Sequence, residues 1–140
     1  MPQTRPPSAA SGRGFESFTE AGFLALLRTL KAGGYDFASY DETPRGRHVL
    51  WRHDVDFSMH RAAALARIEA AEGVRATYFV NPRSPFYNLF EPEVEALLRA
   101  LAAAGHAVGL HFDAAAYGVE RWSEPTLEPA LARERRLVEE

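Results

Sequence analysis

The 140-residue chain contains no cysteine. This absence excludes disulfide bonds, zinc sites built from thiolates and catalysis by a cysteine nucleophile. No apolar run approaches the roughly 20 residues of a membrane-spanning helix. No apolar stretch follows Arg5 and Arg13 in the way that a secretory leader requires. We therefore expect a cytoplasmic protein without a membrane span.

The sequence also lacks an excess of positive charge. Its formal net charge is -3, so composition gives no reason to expect a nucleic acid or an anionic membrane as a partner. The hydrophobic fraction of 46% and the charged fraction of 25% are typical of a globular protein. A chain of this length is sufficient for one domain with a core, and nothing in it indicates an oligomeric state.

Domain organisation follows from local composition. Residues 1–14 are rich in proline, serine and glycine, which predicts a disordered tail before a single domain at 15–140. Ser17 and Glu20 have the spacing of a helix capping box. Apolar residues then recur at helical spacing from Phe23 to Leu30, and the glycine pair at 33–34 ends this helix.

Strands and helices alternate after this first helix. Apolar runs predict strands at 48–53, 76–80 and 106–112, and helical patterns occupy 59–72, 92–104 and 127–140. In the helix at 59–72, the predicted apolar stripe contains Ala63, Leu65, Ile68 and Ala71. This order predicts a parallel α/β fold, either a barrel or a doubly wound sheet.

Acidic and imidazole side chains follow two of these strands. Asp54 and Asp56 close the first strand, and His111 and Asp113 close the third. Side chains alternate along a strand, so each pair points to one side, and active sites of such folds lie where parallel strands end. These residues predict a divalent-metal site. The alternative is local, because Asp54 and Asp56 precede a helix that begins near Ser58, and Asp113 is equally a candidate cap.

Three segments together resemble the polysaccharide deacetylases of the NodB-homology, carbohydrate esterase type. They are Arg-His-Asp-Val-Asp at 52–56, Gly-Val-Arg-Ala-Thr-Tyr-Phe-Val at 73–80 and Gly-His-Ala-Val-Gly-Leu-His at 105–111. Their order and spacing also agree with that family. The resemblance covers roughly residues 45–116. It implies a distorted (β/α) barrel, of which we expect this chain to hold only the N-terminal part.

The same resemblance implies removal of acetyl groups from an N-acetylated carbohydrate with a divalent metal, for which zinc is the first candidate. It assigns Asp54 as the catalytic base, and Asp56 and His111 as metal ligands. The family places a second histidine four residues after the first, where this chain has Ala115. Asp113 is our candidate for the replacement ligand, because it shares a side with His111.

The chemistry supports this combination of residues. A metal ion polarises an amide carbonyl and lowers the pKa of bound water from about 15.7 toward about 7, and a nearby carboxylate serves as the base. On the loop after the second strand, Arg83 and Tyr87 are candidate substrate-binding residues, and Arg83 is also a candidate partner of Asp54. The aromatic segment from Phe86 to Phe90 is a candidate sugar-stacking surface, although we prefer a hydrophobic lid.

Two other functions stay open at this point. The chain ends after three clear strands and lacks the downstream motifs of the family, which favours a truncated, non-catalytic remnant that binds a sugar or a partner. The second open function is a metal-dependent nucleotide-sugar glycosyltransferase, in which Asp54-Val55-Asp56 is the Asp-x-Asp motif. The second cluster, at His111 and Asp113, argues against the glycosyltransferase.

Overall fold

The structure of the chain, a computed structural model, describes residues 18–117 and 124–139. The predicted tail at 1–14 and the predicted cap Ser17 lie outside these residues. None of the helices that the structure describes is both long and apolar enough to cross a membrane.

The described residues form a mixed α/β structure with short parallel strands. Its helices are α1 (Glu20–Ala32), α2 (Met59–Ala71), α3 (Pro92–Ala103) and α4 (Glu124–Glu139). Its strands are β1 (Asp36–Ala38), β2 (His48–Leu50), β3 (Arg52–Val55), β4 (Thr77–Val80) and β5 (Ala107–Leu110). A single turn of 3₁₀ helix follows at Ala114–Tyr117.

Two local features differ from the predictions. The expected strand at 48–53 is divided at Trp51 into β2 and β3, and β2 pairs in parallel with β1, which lies in the segment after the glycine pair. The N-cap of α1 is Thr19 rather than Ser17, because the Thr19 hydroxyl accepts a hydrogen bond from the Gly22 N–H at 3.1 Å. The alternation of strands and helices from β3 to β5 is confirmed.

Strands β3, β4 and β5 form one parallel sheet in sequence order. Right-handed crossovers between successive neighbouring strands place α2 and α3 on the same face of such a sheet. The core lies on this face, where Val55, Tyr78 and Val80 of the strands meet residues of α2 and α3. We call it the helix face. No closed barrel is present within the described residues.

The opposite face carries Asp54 of β3, Phe79 of β4 and Gly109 of β5, which are aligned in register across the sheet. A Cβ atom at Gly109 would approach the Phe79 ring to 2.9 Å, so glycine gives that ring the space to lie across β5. We call this surface the open face. It ends at the candidate functional residues.

A buried carboxylate on α2 connects the helix to the sheet. Glu69 has no exposed surface, and its Oε1 accepts hydrogen bonds from Trp51 Nε1 at 2.8 Å and His53 Nε2 at 2.6 Å. Its Oε2 accepts one from the Tyr78 hydroxyl at 2.6 Å. Burial and this hydrogen bond to Glu69 raise the pKa of the Tyr78 phenol. The three donors satisfy a charge that would otherwise be costly to bury.

His106 adds a second polar connection beside Glu69. Its Nδ1 accepts from the Ala76 N–H at 3.2 Å, and its Nε2 lies 3.0 Å from the carbonyl oxygen of Ala66 on α2. This arrangement requires the hydrogen on Nε2, since Nδ1 is the acceptor. His106 therefore fixes the start of β4 against the helix.

Replacing Glu69 tests how far the fold depends on this carboxylate. We expect Glu69→Ala to lower the free energy of unfolding by about 3–5 kcal/mol, because it leaves the buried Tyr78 donor and the partly buried Trp51 and His53 donors without an acceptor. Glu69→Gln should cost less, about 1–3 kcal/mol, because the Tyr78 hydroxyl can turn to accept from the amide. Urea unfolding measures both values.

The matched control is Glu95→Ala, which removes an exposed carboxylate that pairs with Arg99 at 2.6 Å on α3. This change should cost less than about 0.5 kcal/mol. If Glu69→Ala were as mild as Glu95→Ala, the buried network would not contribute to stability.

Candidate functional site

Asp56 and His111 lie at the carboxyl ends of β3 and β5. The backbone N–H of His111 donates to the Val80 carbonyl at 2.8 Å, which extends the pairing of β4 and β5 by one residue and fixes the position of His111. Continued for one residue beyond β3 and β5, the alternation of the strands places both side chains on the same side as Asp54, which belongs to the open face. Three of the predicted functional residues therefore share one face of the sheet.

The structure brings two of the predicted metal ligands into contact. Strands β3 and β5 flank β4 and are roughly 10 Å apart, yet His111 Nδ1 lies 2.9 Å from Asp56 Oδ1. The His111 and Asp56 side chains keep 31% and 46% of their surfaces exposed, respectively. The Nδ1 atom of His111 is nevertheless buried, and among the described residues it makes no hydrogen bond of acceptable geometry. The contact is thus a close approach of two ligand-type atoms rather than an aligned hydrogen bond.

This distance is informative about what the pair can hold. Two ligand atoms at about 2.1 Å from one ion, with an angle of 90–109° between them, are about 3.0–3.4 Å apart. The observed 2.9 Å is close to that range. The separation of the two atoms is therefore compatible with one oxygen and one nitrogen ligand to the same ion.

The carboxylate of Asp54 forms an ion pair with Arg52, two residues earlier on β3. Arg52 donates from Nε at 3.1 Å and from Nη2 at 2.5 Å to the same oxygen, Oδ1. The Arg52 guanidinium lies over the Phe79 ring, 4.3 Å from its centroid. The Asp54 side chain is 39% exposed on the open face, so its carboxylate is both oriented and accessible.

Asp113 makes local contacts. Its Oδ1 accepts from the N–H groups of Ala115 at 3.0 Å and Ala116 at 3.4 Å, which caps the 3₁₀ turn that follows. Within residues 18–117 and 124–139, no three acidic or imidazole side chains form a metal-binding group. Asp113 therefore does not join Asp56 and His111 here, and a third protein ligand is not found in the described part of the chain.

Side chains of the loop after β4 form hydrogen bonds with the backbone at the carboxyl end of β3. Ser84 donates to the Asp56 carbonyl at 2.8 Å and accepts from the Phe86 N–H at 3.1 Å. The Tyr87 hydroxyl donates to the Val55 carbonyl and accepts from the Asn81 N–H at 2.9 Å. Burial raises the pKa of the Tyr87 phenol. Tyr87 thus connects the ends of β3 and β4, and its predicted role in substrate binding stays a prediction.

Arg83 belongs to a separate cluster. It donates to the buried Glu134 carboxylate on α4 and, at 2.5 Å, to the Tyr117 hydroxyl. Its guanidinium also lies 4.4 Å from the centroid of the Tyr117 ring. The Asp54 partner is Arg52, so the suggested pairing of Arg83 with Asp54 is wrong, and contact between Arg83 and substrate stays a prediction.

Sequence reasoning missed two residues that organise this region. Ser84 lies between two prolines in a loop, and no sequence pattern marks its bond to the Asp56 carbonyl. Glu69 had a detectable signal, because it follows Ala62 and Ala66 at helical spacing on the buried side of α2. A charged residue on an apolar stripe indicates buried donors nearby.

Comparison with known proteins adds no family assignment. A scan of family models, a search of curated proteins and a search of solved structures each gave no match. The likeness to the deacetylases accordingly depends on the three sequence segments alone.

Replacing Tyr87 by phenylalanine tests whether its hydroxyl group stabilises the fold by connecting the ends of β3 and β4. Loss of the hydroxyl leaves the Val55 carbonyl and the Asn81 N–H without their partner, so we expect unfolding to become easier by about 1–2 kcal/mol. Tyr35→Phe is the control and should change stability by less than about 0.5 kcal/mol. An unchanged stability for Tyr87→Phe would refute the connecting role.

Proposed function

We propose that the chain carries the site of a metal-dependent hydrolase of the polysaccharide deacetylase type, which removes the acetyl group from an N-acetylated sugar. The contact between His111 Nδ1 and Asp56 Oδ1 at 2.9 Å carries this proposal. Asp54, on the same face of the sheet, adds the carboxylate that the reaction needs as a base. The motifs that resemble the deacetylases assign the same roles to the same three residues.

Asp56 and His111 would hold the metal. One carboxylate oxygen and one imidazole nitrogen suit zinc, although most catalytic zinc sites have three protein ligands. A site with these two ligands alone should bind zinc with modest affinity. When bound, the metal would polarise the amide carbonyl and make its bound water a nucleophile near neutral pH.

The role of Asp54 follows from its contacts. Two nitrogens of Arg52, Nε and Nη2, donate hydrogen bonds to Oδ1 and so fix the orientation of the carboxylate. Oδ2 is then the oxygen that receives the proton of the attacking water. A base held in this way loses little freedom at the moment of reaction.

The one-sided packing of the sheet supports a barrel-like architecture over a doubly wound sheet. In a doubly wound fold, helices cover both faces. Here the core that joins the helices to the sheet draws on Tyr78, Val80 and Val108, all on the helix face. Asp54, Asp56 and His111 lie on the other side, where a (β/α) barrel has its interior and its active site.

Zinc titration of the protein tests the proposed ligands. We expect Asp56→Ala and His111→Ala each to weaken zinc binding at least about tenfold in isothermal titration calorimetry, because each removes one of two ligands. The matched control is His60→Ala, since His60 pairs with Glu93 at 2.9 Å on the surface. Unchanged zinc affinity in Asp56→Ala and His111→Ala would show that zinc binds elsewhere.

The base is tested by turnover. With zinc present, Asp54→Asn should retain zinc binding but lose acetate release from N-acetylglucosamine oligomers by about 10²–10⁴-fold, since the amide cannot take the proton. Acetate is measured by a coupled assay, with Asp113→Asn as the control that keeps activity. Zinc binding without turnover in the wild-type protein would instead favour the non-catalytic alternative.

A further inference from the structure

Two exposed aromatic rings lie beside the candidate site. Phe57 directly follows Asp56, and its ring centroid is 4.8 Å from that of Phe86, with an angle of 53° between the ring planes. Phe57 is 69% exposed and Phe86 is 61% exposed. Single exposed apolar residues are common on protein surfaces, but an exposed contacting pair whose first member directly follows a candidate metal ligand is not explained by composition.

The pair is fixed relative to Asp56. The Ser84 hydroxyl donates to the Asp56 carbonyl at 2.8 Å and accepts from the Phe86 N–H at 3.1 Å. On the other side, Ser58 caps α2 by accepting from the Arg61 N–H at 3.3 Å, which sets the backbone just after Phe57. Both rings are therefore attached to backbone that also positions a candidate metal ligand.

Two structural roles would explain these rings without a ligand, and exposure argues against both. Phe57 precedes the cap of α2, where a hydrophobic staple would pack it against Ala62. A staple or a hydrophobic lid would bury its rings, as Leu89 of the same loop is buried, whereas Phe57 and Phe86 each leave more than half of their surfaces in solvent.

We propose that Phe57 and Phe86 form a platform that binds a pyranose ring of the substrate and presents its N-acetyl group to the Asp56–His111 pair. Aromatic rings supply rigid, apolar contact surface at little cost in side-chain freedom. One face of a pyranose ring is lined by C–H groups, which suit an aromatic surface, and its rim carries hydroxyl groups, which donate hydrogen bonds to carboxylates. The choice of a sugar rests on the proposed function.

Binding is tested on the metal-free protein, so that the result does not depend on catalysis. The probe is an N-acetylglucosamine trimer in the presence of a chelator, followed by saturation-transfer NMR and titration. We expect Phe57→Ala and Phe86→Ala each to weaken binding about threefold to tenfold. Phe90→Ala is the matched control, because Phe90 is 66% exposed on the same loop, and it should change binding less than twofold. Phe57→Trp should retain binding.

The outcomes separate this inference from the proposed function. Ring-dependent binding of the trimer, with no acetate release once zinc is restored, would refute the deacetylase and leave the platform standing. Acetate release that is indifferent to both rings would refute the platform alone. The platform is also overturned if Phe90→Ala weakens binding as much as the other two variants. The same holds if the wild-type protein binds an alkyl detergent through these rings but not the trimer.

Discussion

The buried carboxylate of Glu69 is the constraint on which the arrangement of the sheet depends. It receives hydrogen bonds from Trp51, His53 and Tyr78, and so fixes two neighbouring strands against α2 on the helix face. Because His53 and Asp54 are consecutive on β3, holding one side chain on the helix face orients the other toward the open face. The geometry of the candidate site is thus linked to a polar network on the opposite side of the sheet.

Much of the fold was predictable because its periodic signals are strong. Apolar runs and helical spacing located β3, β4, β5 and the helices between them, within a few residues at the ends. The stripe predicted for α2 was wrong in part. Ala63 is buried as expected, but Ala71 is exposed, and the helix buries Met59, Ala62, Ala66 and Glu69 instead. Alanine-rich sequence gives a weak apolar contrast, so periodicity alone could not fix the buried side. At Trp51, where the predicted strand is divided, the side chain donates to Glu69 of α2, a contact that local periodicity does not report.

In the candidate site, too, some residues could be placed from the sequence and others could not. Alternation along strands correctly placed Asp56 with His111, because both positions follow from register in a parallel sheet. It did not place Asp113, where the chain leaves the strand and the side chain caps the next turn through local hydrogen bonds, as short acidic side chains often do. The contacts of Arg83 could not be predicted from the sequence either, since its partner Glu134 lies far along the chain on α4.

In the function that we propose, Asp56 and His111 hold one metal ion between them. The most direct measurement is a crystal structure of the zinc-loaded protein with anomalous scattering recorded at the zinc edge. We expect an anomalous peak within bonding distance of both His111 Nδ1 and Asp56 Oδ1, about 2.0–2.2 Å from each. A peak at other residues, or none at a zinc concentration that saturates the protein in solution, would contradict this proposal.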